Sequence, residues 1–104
     1  MAITPSEPTV RALVEAVNAG DRAAFTALLA PDATMTDDGA ERDLGAWIDT
    51  EIFNVGGQME VESESDGGRA LIAAFSNDTW GRMRTAWRFT LADGLVTRFQ
   101  TGQA

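Results

Sequence analysis

The chain has 104 residues, a hydrophobic fraction of 44% and a formal net charge of −8, which predict one small folded domain over residues 1–104. An acidic surface repels phosphate groups, so neither nucleic acid nor an anionic membrane is expected as a partner. The sequence contains no cysteine, histidine, tyrosine or lysine. Disulfides and thiolate nucleophiles are therefore excluded, and the commonest general base and metal ligand is missing. We expect no metal site and no cofactor.

The sequence also bears on location. No apolar run approaches the roughly 20 residues that a membrane helix needs. The first eight residues, MAITPSEP, lack the basic segment and apolar stretch of a secretory leader. A cytoplasmic location is the expectation.

Two helices are predicted at the start of the chain. Thr4 and Glu7 form a candidate capping box for the first helix, which Gly20 is expected to end in a left-handed conformation. The apolar residues of this helix recur at helical spacing: Val10, Leu13, Val14 and Val17. Asp21 is predicted to cap a second, short helix that stops at Pro31.

The sequence pattern in the middle of the chain predicts a short strand followed by a third helix. The strand covers residues 33–37 and ends at the turn signal Asp38-Gly39. Asp43 is the predicted cap of the helix, which Gly56-Gly57 ends. Its apolar stripe consists of Leu44, Trp47, Ile48, Ile52 and Val55. Glu51 falls within that stripe.

Four strands are predicted for the remainder, because apolar and polar residues alternate between turn signals. They cover residues 58–65, 69–77, 82–92 and 95–101. Helices that precede a mostly antiparallel sheet indicate an α+β fold. A long curved sheet wrapped around the helices leaves a cone with a hollow end.

Two segments of the sequence resemble a known superfamily. Val17–Asp21 followed by Ala27–Ala33 resembles the opening "N-x-G-D … L-x-x-L-x-A-x-D-A" of SnoaL-like polyketide cyclases and ketosteroid isomerase-like proteins. Trp87–Gly94 with Arg98-Phe99 resembles their closing hairpin. With the order of elements, the chain resembles the nuclear transport factor 2-like superfamily. The resemblance implies a cystatin-like cone, in which three N-terminal helices pack on a curved, mostly antiparallel β-sheet.

The resemblance also suggests catalytic residues. It places Asp37 at the position of the general base of ketosteroid isomerases, enzymes that rely on carboxylic acids with tuned pKa values. Leu13 replaces the oxyanion-hole tyrosine of those enzymes, so ketosteroid isomerase activity itself is not expected. Glu51 is the second candidate catalytic residue. The alternatives are that Asp37 is a turn residue bonded to its own loop and that Glu51 is a solvated flank of its helix.

The expected ligand is a small apolar molecule in the cone. The residues expected to bind it are Met35, Trp47, Met83, Trp87 and Phe99, although the same side chains could simply fill a core. The predicted function is a small-molecule-binding SnoaL-like domain, as an isomerase or cyclase acting on an apolar carbonyl compound with a carboxylate base. The alternative is a non-catalytic ligand-binding or dimeric assembly domain, and whether the chain is an enzyme stays open.

A homodimer through the sheet is expected, because the strand over residues 69–77 is apolar on both faces. Its outer residues would be Ala70, Ile72 and Ala74. Strand parity places Glu60, Glu62 and Glu64 on that outer face, together with Arg82, Arg84 and Arg88. A two-fold axis could then set acidic and basic strands of opposite subunits against each other.

Overall fold

The computed structural model describes residues 3–104 as a six-stranded sheet with three helices on one face. The helices are α1 (Pro8–Ala19), α2 (Arg22–Ala27) and α3 (Leu44–Ile48), the last continued by a π-helical turn, Asp49–Phe53. The strands are β1 (Leu29–Asp37), β2 (Ala40–Arg42), β3 (Gln58–Ser65), β4 (Ala70–Asn77), β5 (Gly81–Ala92) and β6 (Leu95–Gln103). None of the helices in the described residues has the length and apolar character required to cross a membrane.

The helix ends follow local signals in the sequence. Asp21 and Asp43 cap α2 and α3, as predicted, by accepting the N–H groups of residues three positions further on, at 3.0 and 2.9 Å. Gly20 ends α1 with a φ of 66°, where a left-handed backbone favours glycine. Glu7, rather than Thr4, caps α1, and its carboxylate accepts the N–H of Thr9 at 2.6 Å.

The strands are arranged in the order β2-β1-β6-β5-β4-β3. β1 and β6 run parallel, and the other neighbours are antiparallel. β1 begins at Leu29, four residues earlier than predicted, because the register shift between Leu29 and Thr34 tolerates Pro31, which has no N–H to donate. β2, a three-residue strand joined to β1 by the turn at Asp38-Gly39, was not predicted from the sequence.

The inner face of the sheet, on which the helices pack, carries Leu71, Ala73 and Phe75 of β4, all buried. These residues join one hydrophobic core that also contains Leu13 of α1 and Phe25 of α2, neither of which is exposed at all. The core closes most of the space between helices and sheet. The end of the sheet beside α3 and the π-helical turn remains open.

The outer face differs from the prediction at Glu64. A bulge between Val61 and Ser63 reverses the strand parity, so Glu64 pairs with the inward-facing Leu71. Its carboxylate accepts the backbone N–H of Ser6 at 2.9 Å, on the helix side. The expected acidic row on the outer face therefore lacks this residue.

The remaining charges of the outer face pair within one subunit. Arginines of β5 reach across β4 to acids of β3 and the β3–β4 turn. The pairs are Arg82–Glu60 at 3.4 Å, Arg84–Glu62 at 3.0 Å and Arg88–Asp66 at 3.5 Å. They lie over the small side chains of β4, so Ala74 is only 6% exposed.

Candidate functional site

A cavity of about 540 Å³ lies at the open end of the sheet, between its inner face and α3 with the π-helical turn. Its apolar wall consists of Phe75, Met83 and the indole rings of Trp47, Trp80 and Trp87. The chain has three tryptophans, so all of them line this cavity. The volume lies within the range of about 300–1,000 Å³ typical of small-molecule sites.

Asp37 is the last residue of β1 and lines the cavity. It shares the inner face with Met35, because alternate residues of a strand point to the same side. Its Oδ2 accepts a hydrogen bond of 3.0 Å from the indole Nε1–H of Trp47 on α3. The carboxylate is half-buried, and this single bond orients it toward the cavity while Oδ1 has no side-chain donor among residues 3–104.

The neighbouring turn holds Asp37 in place. Asp38 has a φ of 50°, and its backbone N–H donates to the carbonyl oxygen of Thr101 at 2.9 Å. Its side-chain Oδ1 accepts the N–H of Gln103 at 3.0 Å. Gly102 passes so close that a Cβ there would collide with the Asp38 side chain. The end of β1 is thereby fixed against β6.

Glu51 lies in the π-helical turn, on the far side of the cavity from Asp37. Its Oε1 accepts the indole N–H of Trp80 at 2.9 Å, and its backbone oxygen accepts the side-chain amide of Asn77 at 2.9 Å. Asn77 is on β4, which is three interstrand steps, or about 14 Å, from β1. The two candidate carboxylates therefore belong to different walls of one cavity.

Asn77 was given no role in the sequence analysis, yet it organises the wall around Glu51. Besides its bond to Glu51, its Oδ1 accepts the backbone N–H groups of Thr79 and Trp80 at 3.1 and 2.8 Å. The only local signal for this arrangement was an asparagine at a strand end, a position that favours turns. It positions Trp80, a residue that is 63% exposed and lines the cavity.

The deepest part of the wall has its polar groups already paired. The indole N–H of Trp87 donates to the hydroxyl of Thr85 at 2.8 Å, and that hydroxyl donates to the carbonyl of Ala73 at 3.0 Å. The rings of Trp87 and Trp47 meet edge to face, with centroids 6.2 Å apart. Trp87 thus contributes an apolar surface, while its N–H is not directed to a ligand.

Met35 and Phe99 lie in the closed core beneath the cavity, where neither side chain is exposed at all. Neither is among the residues that line the cavity. The ring of Phe99 packs 5.9 Å from the rings of both Trp47 and Trp87. The structure therefore places Asp37, Glu51, Trp47, Met83 and Trp87 in the lining of one cavity and puts Met35 and Phe99 behind that lining.

Two polar groups of the cavity were not among the candidates from sequence. Thr101 is the strand neighbour of both Asp37 and Trp87, is 8% exposed, and makes no side-chain hydrogen bond to any residue from 3 to 104. Arg42 is exposed at the mouth and forms no ion pair within the same residues. Both can donate a hydrogen bond to an oxygen atom of a ligand.

The π-helical turn is tied to the helical layer by one ion pair. Arg22 of α2 bonds to Asp49, the first residue of the turn. The hydrogen bond and the negative charge of Asp49 raise the pKa of the Arg22 guanidinium above its usual range. In the part of the chain that the structure describes, no three acidic side chains approach closely enough to hold a metal ion.

No family model matches the sequence, and no curated protein matches it either. Solved structures do match the fold. A Δ5-3-ketosteroid isomerase from Mycobacterium sp. aligns with a TM-score of 0.74 and 21% identity over 95% of this chain and 92% of its own. A candidate polyketide cyclase from Sinorhizobium meliloti aligns with a TM-score of 0.75 and 22% identity, over 90% and 93% of the two chains.

A third match is a Mycobacterium tuberculosis protein solved in complex with estradiol-17β-hemisuccinate, with a TM-score of 0.75 and 21% identity over 95% and 93% of the chains. The chain therefore has the nuclear transport factor 2-like fold, an α+β cone, as the sequence predicted. At such identities the likeness establishes the fold alone, and the activity has to follow from the site.

Proposed function

We propose that the chain binds a small, mainly apolar carbonyl compound in the cavity and that Asp37 acts on it as a proton acceptor. The observation that carries this proposal is the Asp37 carboxylate itself. It is half-buried in an aromatic wall, and the indole N–H of Trp47 holds one of its oxygens at 3.0 Å. A base fixed in this way within an apolar cavity suits general base catalysis.

The reaction would begin with transfer of a proton from the carbon next to the carbonyl group to a carboxylate oxygen of Asp37. The electron pair of the broken C–H bond forms a C=C bond to the carbonyl carbon, and the former C=O π pair moves to the oxygen, which becomes negatively charged. In a β,γ-unsaturated ketone, return of the proton from Asp37 to the γ carbon gives the conjugated isomer. If the enolate carbon instead attacks a second carbonyl carbon of the same molecule, the π pair of that carbonyl moves to its oxygen, which takes the proton from Asp37, and a ring is closed. Both outcomes correspond to the isomerase and cyclase chemistry of structural neighbours.

The negative charge on the carbonyl oxygen needs a donor. The indole groups of Trp47 and Trp87 already donate to Asp37 and Thr85, so they do not fill this role. The hydroxyl of Thr101, which is next to Asp37 across the parallel strand pair, and the guanidinium of Arg42 are among the donors in the cavity lining. A single hydroxyl stabilises an enolate less than a full oxyanion hole, so turnover is expected to be slow.

The size of the ligand is bounded by the cavity. About 540 Å³ accommodates molecules of two to four fused rings. A structural neighbour was solved with a steroid ester, which supports a ring system as the ligand class. We take 2-tetralone, an apolar bicyclic ketone with exchangeable protons beside its carbonyl group, as the probe.

Proton abstraction is measurable without knowledge of the natural product. The protein is incubated with 2-tetralone in deuterium oxide, and incorporation of deuterium is followed by mass spectrometry. Exchange faster than in buffer is expected for the wild type and is lost in Asp37→Asn. The control is Asp32→Asn, an exposed position on the same strand. Binding of 2-tetralone without any exchange above buffer would support a non-catalytic binding domain instead.

We also propose that two copies of the chain associate through the outer face of the sheet. The support is a hollow of about 550 Å³ on that face, whose lining includes the apolar side chains of Ala70, Ile72 and Ala86. Because the nearby arginines and acids pair within the subunit, the association would rely on these apolar residues and not on charges exchanged between subunits.

A further inference from the structure

The charges around the cavity are unbalanced. Its lining contains the carboxylates of Asp37, Asp38, Asp43 and Glu51, but only one cation, the guanidinium of Arg42. Of the other arginines, Arg22, Arg82, Arg84, Arg88 and Arg98 form ion pairs outside the cavity, and Arg11 and Arg69 are not part of its lining. The whole chain carries a net charge of −8, so nothing distant offsets the local excess of negative charge.

Two of the four carboxylates are occupied by backbone groups. Asp43 caps α3 through the N–H of Ala46, and Asp38 accepts the N–H of Gln103. Asp37 and Glu51 each accept one indole N–H through one oxygen. The second oxygen of each accepts no hydrogen bond from any residue in the described range 3–104. These two oxygens are available to a ligand.

A third group at this wall can contact a ligand. Thr101 lines the cavity as the strand neighbour of Asp37, and the residue as a whole is 8% exposed. Its hydroxyl makes no hydrogen bond to another residue between 3 and 104, and no side-chain polar atom in that range is both fully buried and unpaired. The hydroxyl is therefore open to water and can donate to, or accept from, a ligand at this end of the cavity.

Glu51 and Trp80 form the pair that faces the mouth. The indole N–H of Trp80 is fixed on Oε1 of Glu51 at 2.9 Å, and the ring remains 63% exposed. An exposed indole face beside a carboxylate attracts a cation through two interactions. The negative charge of the carboxylate attracts it by Coulomb's law, and the electron-rich face of the ring attracts it by a cation–π interaction. An anionic ligand would meet repulsion at the same place.

We propose that the ligand of this cavity carries a positive charge, as an amine on an apolar ring system, with its ammonium group between Glu51 and Trp80. The proposal rests on the binding function proposed above and names the class of molecule. The ring system lies against Trp47 and Trp87. The Asp37 and Thr101 end of the cavity, three strands away, receives the part of the ligand that reacts.

Three probes with one bicyclic skeleton test the charge preference: 2-aminotetralin, which is protonated at neutral pH, 2-tetralol, which is neutral, and 1,2,3,4-tetrahydro-2-naphthoate, which is an anion. Because all tryptophans line the cavity, the ¹⁵N-labelled indole signals report on it directly. We expect the amine to bind about ten-fold more tightly than the alcohol at low ionic strength. The anion should bind most weakly, and added salt should reduce the preference for the amine.

The variant Glu51→Gln keeps the shape of the side chain and removes its charge. It should reduce the affinity for the amine about five-fold and leave that for the alcohol unchanged within about two-fold. The matched control is Glu15→Gln, which makes the same change in net charge at an exposed position of α1 outside this cavity. It should retain the full preference for the amine.

The outcomes separate the two proposals. Equal binding of the amine and the alcohol by the wild type would overturn the charge preference while leaving the binding function intact. An unchanged preference in Glu51→Gln would also overturn it, because the cation would then lie elsewhere. If none of the three probes shifts the indole signals, the binding function itself fails. The comparison of probes on the wild type does not depend on whether the variant folds.

Discussion

The indole N–H of Trp47 donates a 3.0 Å hydrogen bond to Oδ2 of Asp37, so a side chain of α3 orients the carboxylate at the end of β1. The bond joins the helical layer to the sheet at the edge of the cavity. It also uses the only N–H that the Trp47 side chain has. Trp47 is therefore a positioning residue for Asp37.

Replacing Trp47 by phenylalanine tests that role. Trp47→Phe keeps an aromatic ring against Trp87 and Phe99 but removes the N–H donor. We expect deuterium exchange into 2-tetralone to fall about ten-fold and the free energy of unfolding in urea to fall by about 1 kcal/mol. Trp80→Phe, which removes an indole N–H from the other wall, should leave exchange close to that of the wild type. Equal exchange rates in wild type and Trp47→Phe would contradict the role.

A second prediction concerns Gly102. A Cβ at this position would collide with the Asp38 side chain, which is held by the N–H of Gln103. Gly102→Ala should therefore lower the free energy of unfolding by about 1–3 kcal/mol, measured by urea denaturation. Gly45→Ala is the matched control, because the nearest atom to a Cβ there is 3.9 Å away. Within α3 that change should be neutral or stabilising by up to about 1 kcal/mol.

Asn77 supports the wall around Glu51. Its side chain makes three hydrogen bonds to the backbone of Glu51, Thr79 and Trp80 and is 7% exposed. Asn77→Ala should lower the free energy of unfolding by about 2 kcal/mol, since buried backbone groups lose their partners. The indole signal of Trp80 should also shift toward that of a mobile ring. Asn54→Ala, at an exposed loop position, should change neither measurement. A similar loss of stability in Asn54→Ala would contradict the specific role of the Asn77 hydrogen bonds.

Association through the outer face predicts a dimer in solution. Sedimentation equilibrium at micromolar concentration should give about twice the chain mass of 11.1 kDa. Ile72→Glu places a charge among the apolar residues that line the hollow of the outer face and should give a folded monomer. Thr26→Glu, at an exposed position of α2 in the helical layer, is the control and should remain dimeric. A wild-type protein that sediments as a monomer at this concentration would refute the proposal.

Local chemistry made much of the fold predictable from the sequence. Asp21 and Asp43 each cap a helix by accepting the N–H of a residue three positions further on, so both partners of the interaction lie in one short segment of the sequence. The alternation of apolar and polar residues located both ends of β3 to β6 to within about two residues. It does so because a strand that is buried on one face places an apolar side chain at every second position. The predicted start of β1 was wrong because Pro31 was taken to exclude a strand. The register shift between Leu29 and Thr34 leaves Pro31 outside the regular pairing, so its missing N–H costs no ladder hydrogen bond.

The sequence by itself determined the α+β order of elements, the strand face shared by Met35 and Asp37, and the absence of histidine and cysteine chemistry. Only the tertiary structure decided that Glu64 faces the helices, that Trp47 orients Asp37, and that Asn77 joins Glu51 to Trp80. Each of these depends on groups that are far apart in the chain or on a single inserted residue in a strand. Such contacts form only when the sheet curves around the helices. For the same physical reason, residues with identical periodicity, such as Phe99 and Thr101, separate into buried core and cavity wall.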